Sequence, residues 1–300
     1  MVAREPAAAE AVAALFNRLG RGGAVWEETP DGEAALLKTY LTDDAHSHAA
    51  RQELEIGLAL LASAYPSLSP PLFVRLAPAD WAEAWKQAYD IQQIGRALAV
   101  VPSWKEYTPQ PGQHVLYLDP GMAFGTGLHP TTRLCLELVE AHLVPGRRLL
   151  DVGTGSGILA VAAARLGAAQ VLALEADPLA VRVATENVDL NHVGQTVTVR
   201  WGTVGGGEGS EWAAPALAPE EGGAPYHVVV VNILADVVGA MLSAGLAAWL
   251  AHGGLLIVSG IIQRQASRIA ELMTAAGLKQ VEARTSGEWV ALAGKKGDQP

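Results

Sequence analysis

Asp151-Val152-Gly153-Thr154-Gly155-Ser156-Gly157 constrains this chain more than any other stretch. The apolar pair Leu149-Leu150 precedes it, and the helical run Ile158 to Leu166 follows. A strand, a glycine turn and a helix are thus written in order. Three alternate glycines let the backbone approach a bulky ligand at a helix N-terminus. The dinucleotide fingerprint needs its third glycine at 158, where Ile158 stands. The spacing therefore favours S-adenosylmethionine, which has no pyrophosphate to cradle, over NAD. Asp151, Gly153 and Gly155 are the candidate contacts in this turn.

One βα unit further on, Val171–Leu174 reads as a strand ending in Glu175. A carboxylate at that tip, about 20 residues past the glycines, is where a nucleoside ribose is held. From residue 145 strands and helices alternate. Strands are expected at Arg148–Val152, Val171–Glu175, Val197–Trp201, His227–Val231 and Leu255–Ser259, and helices at 158–166, 179–190, 235–250 and 263–276. A parallel, doubly wound sheet follows, with ligands at the carboxyl ends of its strands. Residues 203–226, rich in Gly, Ala, Pro and Glu, read as a long mobile surface loop.

The N-terminal part has a different rhythm. A helix over Ala7–Leu19 buries Val12, Leu15, Phe16 and Leu19. Strands Ala24–Trp26 and Ala35–Leu41 flank the turn Pro30-Asp31-Gly32. A helix over Ala49–Ala64 and a strand over Leu72–Leu76 complete a small α+β domain across residues 1–78. A linker helix is expected in 79–95, capped by Asp80, with Trp81 and Trp85 on one packing face. The large domain spans 96–300 and opens with a strand over Leu98–Val101.

Charge and cysteine content narrow the partners. A net charge of -10 argues against general nucleic-acid binding and suits a basic protein partner. Cys135, the single cysteine, excludes an intramolecular disulfide or a cysteine zinc site and reads as a buried, inert thiol. The eight histidines show no metal-ligand spacing. Neither a secretory signal nor a transmembrane run is visible, so a cytoplasmic chain without membrane contact is expected.

A second polar, glycine-rich segment, Asp119–Thr132, lies just upstream of the nucleotide turn. It lacks the Gly-Lys-Ser/Thr of a phosphate loop. Phe124, beside Gly125, could cover an adenine or a sulfonium. His129 alone carries little catalytic weight. With the turn Asp151–Gly157 and Asn232-Ile233-Leu234-Ala235, this segment resembles the ribosomal protein L11 methyltransferases of the PrmA type. Asp80–Trp85, Pro102-Ser103-Trp104 and Gly287-Glu288-Trp289-Val290 fit the same family. The resemblance runs from about residue 78 to 295.

The resemblance implies a class I methyltransferase domain joined to a ferredoxin-like recognition domain. It implies transfer of methyl groups from S-adenosylmethionine to lysine and N-terminal amines of the large-subunit protein L11; a monomer is expected. Carried over by motif, cofactor contacts fall on Thr132, Gly153, Glu175 and Asn232. Glu175 stands where the family usually has Asp, and Leu128 where it often has Thr or His. The family's recognition domain opens with a strand. Met1–Pro6 is too short and polar to supply one, so either the true start lies upstream or the sheet lacks a member. Asn232 is the expected amine-positioning residue, its side chain acting with the backbone carbonyls of Asn232 and Ile233. The competing reading of Asn232 is an N-cap for the helix from Ala235. The remaining alternatives are a methyltransferase acting on another protein or a small amine, an NAD-dependent oxidoreductase and a non-catalytic cofactor-binding assembly factor.

Overall fold

The structure is a computed structural model that describes residues 2–3, 5–19, 21–28, 34–41, 47–74, 90–118, 129–205, 214–221, 223 and 225–297. Chain contacts divide it into two compact units, Met1–Lys86 and Gln87–Pro300. The expected helix at 80–86 with Trp81 and Trp85, the turn at 30–32, and Phe124 and Gly125 all lie outside the described residues.

The first unit runs β1 (Val2–Ala3), α1 (Pro6–Leu19), β2 (Arg21–Glu28), β3 (Ala35–Tyr40) and α2 (Ser47–Ala64). Its antiparallel sheet has the order β1-β3-β2. Ala8, Val12 and Phe16 of α1 and Leu54 and Leu58 of α2 share one core with Leu37 of β3. The helical period places these positions on facing stripes. Two expectations are corrected here. The place of the opening strand is occupied, because Val2 and Ala3 pair with Leu36 and Ala35. Leu72–Val74, expected in a strand, form none, and all three side chains are exposed. In a ferredoxin-like order such a strand would lie beside β1, and β1 offers only two residues of ladder.

The second unit opens with β4 (Gln92–Ile94), β5 (Leu98–Pro102) and β6 (His114–Leu118), which form a small sheet. Residues 92–94 are thus strand, which corrects the linker helix expected across 79–95. After α3 (Pro130–His142) comes the main alternation. It runs β7 (Arg148–Val152), α4 (Ile158–Arg165), β8 (Gln170–Glu175), α5 (Pro178–Leu190), β9 (Val197–Trp201), β10 (Thr203–Val204), β11 (Ala216–Leu217), β12 (Tyr226–Asn232), α6 (Ala235–Ser243), β13 (Leu250–Ile262), α7 (Gln263–Ala275), β14 (Leu278–Ser286) and β15 (Trp289–Lys296). Seven strands lie in the order β14-β15-β13-β12-β7-β8-β9. This is the class I methyltransferase arrangement, a Rossmann-like sheet with one reversed strand.

The sheet is not wholly parallel, as had been expected: β15 runs antiparallel to both neighbours, β13 and β14. The helix expected over 235–250 ends at Ser243. Gly245, at φ +98°, breaks it, and a short 3-10 turn leads into β13. The stretch read as a free loop is pinned at both ends. β10 pairs with β11, burying Val204 and Leu217, while residues 206–213, 222 and 224 lie outside the description.

Strand alternation feeds two cores. Leu149, Val171 and Val230 pack on one face with α3 and α4, and Leu150, Leu174 and Val231 on the other with α6 and α7. Cys135 lies fully inside the first core, where burial pushes its thiol up, as expected for an inert group. No described helix is long and apolar enough to cross a membrane.

Candidate active site

From β7 the chain moves outward to β8 and β9, then returns to the other side of β7 as β12 and β13. The order of the sheet therefore reverses between β7 and β12. Such a switch point opens a crevice at the carboxyl ends of the strands. Val152 and Val231 are paired neighbours there, so the next residues, Gly153 and Asn232, flank the crevice. Asp151, Glu175, Trp201 and Asn232 share strand parity with the first core and point to its face of the sheet.

The glycine turn needs its glycines. Gly153, Gly155 and Gly157 have φ of +71°, +58° and +82°, where a side chain is strained. A Cβ on Gly153 would also lie 2.5 Å from Ile233 Cγ2. Glu175 anchors the turn from the next strand. Its Oε2 accepts the Gly155 N–H at 2.8 Å, and its Oε1 accepts the N–H groups of Ala176 and Asp177 at 2.8 and 3.1 Å. Three of about four carboxylate acceptor positions are thereby used. One remains on Oε2, beside the turn.

Asp151 sits inside the protein beneath the turn, and Thr154 donates its hydroxyl to Oδ2 at 2.6 Å. Among the described residues its Oδ1 has no hydrogen-bond partner. Burial pushes this carboxyl up to about 7. The Thr154 hydroxyl and an Ala160 N–H oppose the shift, and the Glu175 charge adds to it.

Across the crevice, α3 starts with Pro130 after the N-cap His129, whose Nδ1 accepts the Thr131 N–H at 3.3 Å and lies 2.7 Å from the Thr131 hydroxyl. Burial lowers the His129 pKa, so the neutral ring prevails at pH 7. Its edge meets Trp289 with centroids 4.8 Å apart, which joins two segments 160 positions apart. Thr132 is fully buried and accepts an N–H from Asn232 Nδ2 at 3.4 Å.

Asn232 is 8% exposed, and among the described residues its Oδ1 has no partner. It does not cap α6, whose N-cap is Leu234 without a side-chain bond. The capping alternative therefore falls, and a buried acceptor is left facing the switch point, a costly arrangement unless a donor arrives.

Of the site residues expected from sequence, Thr132 with Asn232, and Asp151 with Gly153, Gly155 and Glu175, form two adjoining groups. Ile233 links them through Gly153. Phe124 and Gly125 lie outside the described residues. Four nearby residues were not assigned to the site from sequence: His129 and its partner Trp289, Trp201 and Gly260. Trp201 pairs with Glu175 and donates its indole N–H to the Ala176 carbonyl at 2.9 Å while 46% exposed. Its position at a strand tip was the available signal. Among the described residues no group of three or more His, Cys, Asp or Glu could hold a metal ion.

A family model described as "Ribosomal protein L11 methyltransferase (PrmA)" matches residues 6–297. A protein of Chloroflexus aurantiacus named ribosomal protein L11 methyltransferase is 45% identical over 311 residues, covering 96% of this chain and 94% of its own. One of the same name from Herpetosiphon aurantiacus is 40% identical, covering 96% and 95%. The crystal structure of a ribosomal protein L11 methylase from Lactobacillus delbrueckii subsp. bulgaricus aligns with a TM-score of 0.59 at 30% identity, over 70% of this chain and 100% of that one.

Proposed function

The chain belongs to the ribosomal protein L11 methyltransferase family, and we propose that it transfers methyl groups from S-adenosylmethionine to lysine side chains and the N-terminal amine of L11. One observation carries the chemical part of this reading: Asn232 Oδ1, buried and without a partner among the described residues, at the switch point between the glycine turn and Thr132. An amine is a donor that fits it.

The residues present suit the cofactor. Glu175 has one acceptor position left for a ribose hydroxyl, next to the Gly155 backbone. Gly153 keeps the turn free of side-chain bulk. The Asp151 carboxyl, raised to about 7 chiefly by burial, would be shifted back toward its ionised form by a cationic ligand group. Thr132 orients the Asn232 amide, which presents Oδ1 rather than Nδ2. Phe124 and Gly125 are assigned by their motif alone. When bound, the cofactor supplies a methyl group on a sulfonium, which leaves as a neutral thioether and needs no acid.

The remaining demand falls on the amine. A lysine with a pKa of ~10.4 must lose its proton, which costs about 4–5 kcal/mol at pH 7. A desolvated crevice lowers that pKa. Acceptors at Asn232 Oδ1 and in the backbone of Asn232 and Ile233 take up the amine N–H bonds, leaving the lone pair aimed outward for in-line attack. No general base is required beyond water.

The test is label transfer from methyl-labelled S-adenosylmethionine to purified L11, with the modified residues located by mass spectrometry. Label on lysines and the N-terminus is expected. Label on another ribosomal protein in a mixture, and none on L11, would discard the substrate. Asn232→Ala should lower kcat by about 10²–10³-fold with the thermal transition retained. Near-parental turnover would remove Asn232 from the mechanism.

A further inference from the structure

β12 and β13 are paired to their tips, Asn232 against Ser259. The next residue of β13 is Gly260, at φ +79°. It lies where the β13–β15 register slips between Val258 and Ile261, so the strand bulges beside Asn232-Ile233. A Cβ on Gly260 would overlap the Ile233 carbonyl oxygen and lie 2.6 Å from its carbonyl carbon and 3.1 Å from its nitrogen. The obstacle is backbone, which cannot rotate away as a side-chain end can. On the opposite side the Ile233 side chain fills the space that a Cβ on Gly153 would need. One glycine meets the Ile233 peptide and another meets its side chain, so the two hold this residue from both sides.

We propose that Gly260 is a positioning residue for the methyl transfer: its missing side chain lets the Ile233 peptide sit against β13, which fixes the acceptor carbonyls of Asn232 and Ile233 toward the incoming amine. This rests on the amine-transfer reading given above. Displacing a reacting group by about 1 Å costs on the order of 10²-fold in rate. A side chain at Gly260 therefore acts on turnover through Ile233, while the cofactor contacts on Gly155 and Glu175 stay in place.

Strain and displacement can be separated. Gly277 has φ +78°, almost the angle of Gly260, but a Cβ there would meet nothing within 4 Å. Gly260→Ala and Gly277→Ala are compared in the full chain by thermal unfolding, by calorimetric affinity for S-adenosylhomocysteine, and by kcat and KM on L11. Both variants should lose stability through the positive φ. Gly277→Ala should keep kcat within about twofold. Gly260→Ala should lose kcat by about a hundredfold, with cofactor affinity and KM within about threefold. Equal kcat in the two variants overturns the proposal, as does a loss of cofactor affinity that matches the loss of kcat.

If Gly260→Ala does not fold, the grip is tested from the side chain. Ile233→Ala empties the space against Gly153 and should lose about tenfold in kcat with KM unchanged, whereas the control Gly277→Ala keeps kcat within about twofold. Equal turnover in that pair overturns the proposal. A parent enzyme that fails to methylate L11 sinks the functional reading itself, a result distinct from either comparison.

Discussion

Asp151 has a carboxyl that burial raises from 3.8 to about 7. Between those values the folded protein holds a proton that the unfolded chain has released, so stability falls as pH rises through that window and levels off above it. Asparagine has the shape of the protonated acid and can still accept from the Thr154 hydroxyl. Asp151→Asn should therefore gain stability relative to the parent as pH increases. Comparing the two proteins at each pH is essential, because partly buried His129 and His227, with lowered pKa values, cost stability in the opposite direction as pH falls. The expected result is a melting-temperature difference between variant and parent that is small near pH 5 and grows by several degrees at pH 8, on the order of ~2–4 °C per kcal/mol. A pH-independent difference would show that Asp151 is ionised throughout.

At the scale of elements, Asn191 is a buried connector that local sequence pattern cannot reveal. It follows α5, and its side chain serves β6 as a strand would. Oδ1 accepts the Tyr117 N–H at 2.8 Å, and Nδ2 donates to the Tyr117 carbonyl at 2.6 Å and to the Asn187 carbonyl at 2.8 Å. Asn191→Ala leaves these groups short of partners and should cost about 2–4 kcal/mol, a drop in melting temperature of about 4–16 °C. A drop under about 1 °C would mean that water replaces the side chain. The partner lies 74 positions from Asn191, which is why only the helix end was legible. The same reasoning separates what sequence yields from what it withholds. β7, β8 and β12 are apolar runs next to turn residues, and their tips carry Gly153, Glu175 and Asn232, so the strands and the site were both readable. β14 was not, because Leu278 is its one buried residue and, apart from Val281 and Ala283, the rest of the strand is polar. Three-residue β4 is too short to show a period. Gly260 follows the strand expected over Leu255–Ser259, and only the fold, with its β13–β15 register slip, places it against Ile233.

At the scale of the molecule, charge and burial act on different ligands. The chain carries 31 acidic and 21 basic residues, so its field attracts a basic substrate over a distance set by salt. The candidate cofactor residues differ in kind. Asp151 and Asn232 are buried, and Glu175 is partly so and already tied to three backbone N–H groups. Contacts of that kind are short and poorly screened. Raising salt from ~50 to ~300 mM shrinks the Debye length from about 14 Å to about 6 Å. KM for L11 should then rise at least about threefold while kcat and the affinity for S-adenosylhomocysteine move little, because long-range attraction governs encounter rather than the chemical step. Steady-state kinetics across that range, paired with calorimetry, decides the matter. A flat KM would place recognition of L11 in short-range, apolar contacts. A parallel weakening of cofactor affinity would mean that the crevice is far more open to solvent than the burial of Asp151 and Asn232 implies.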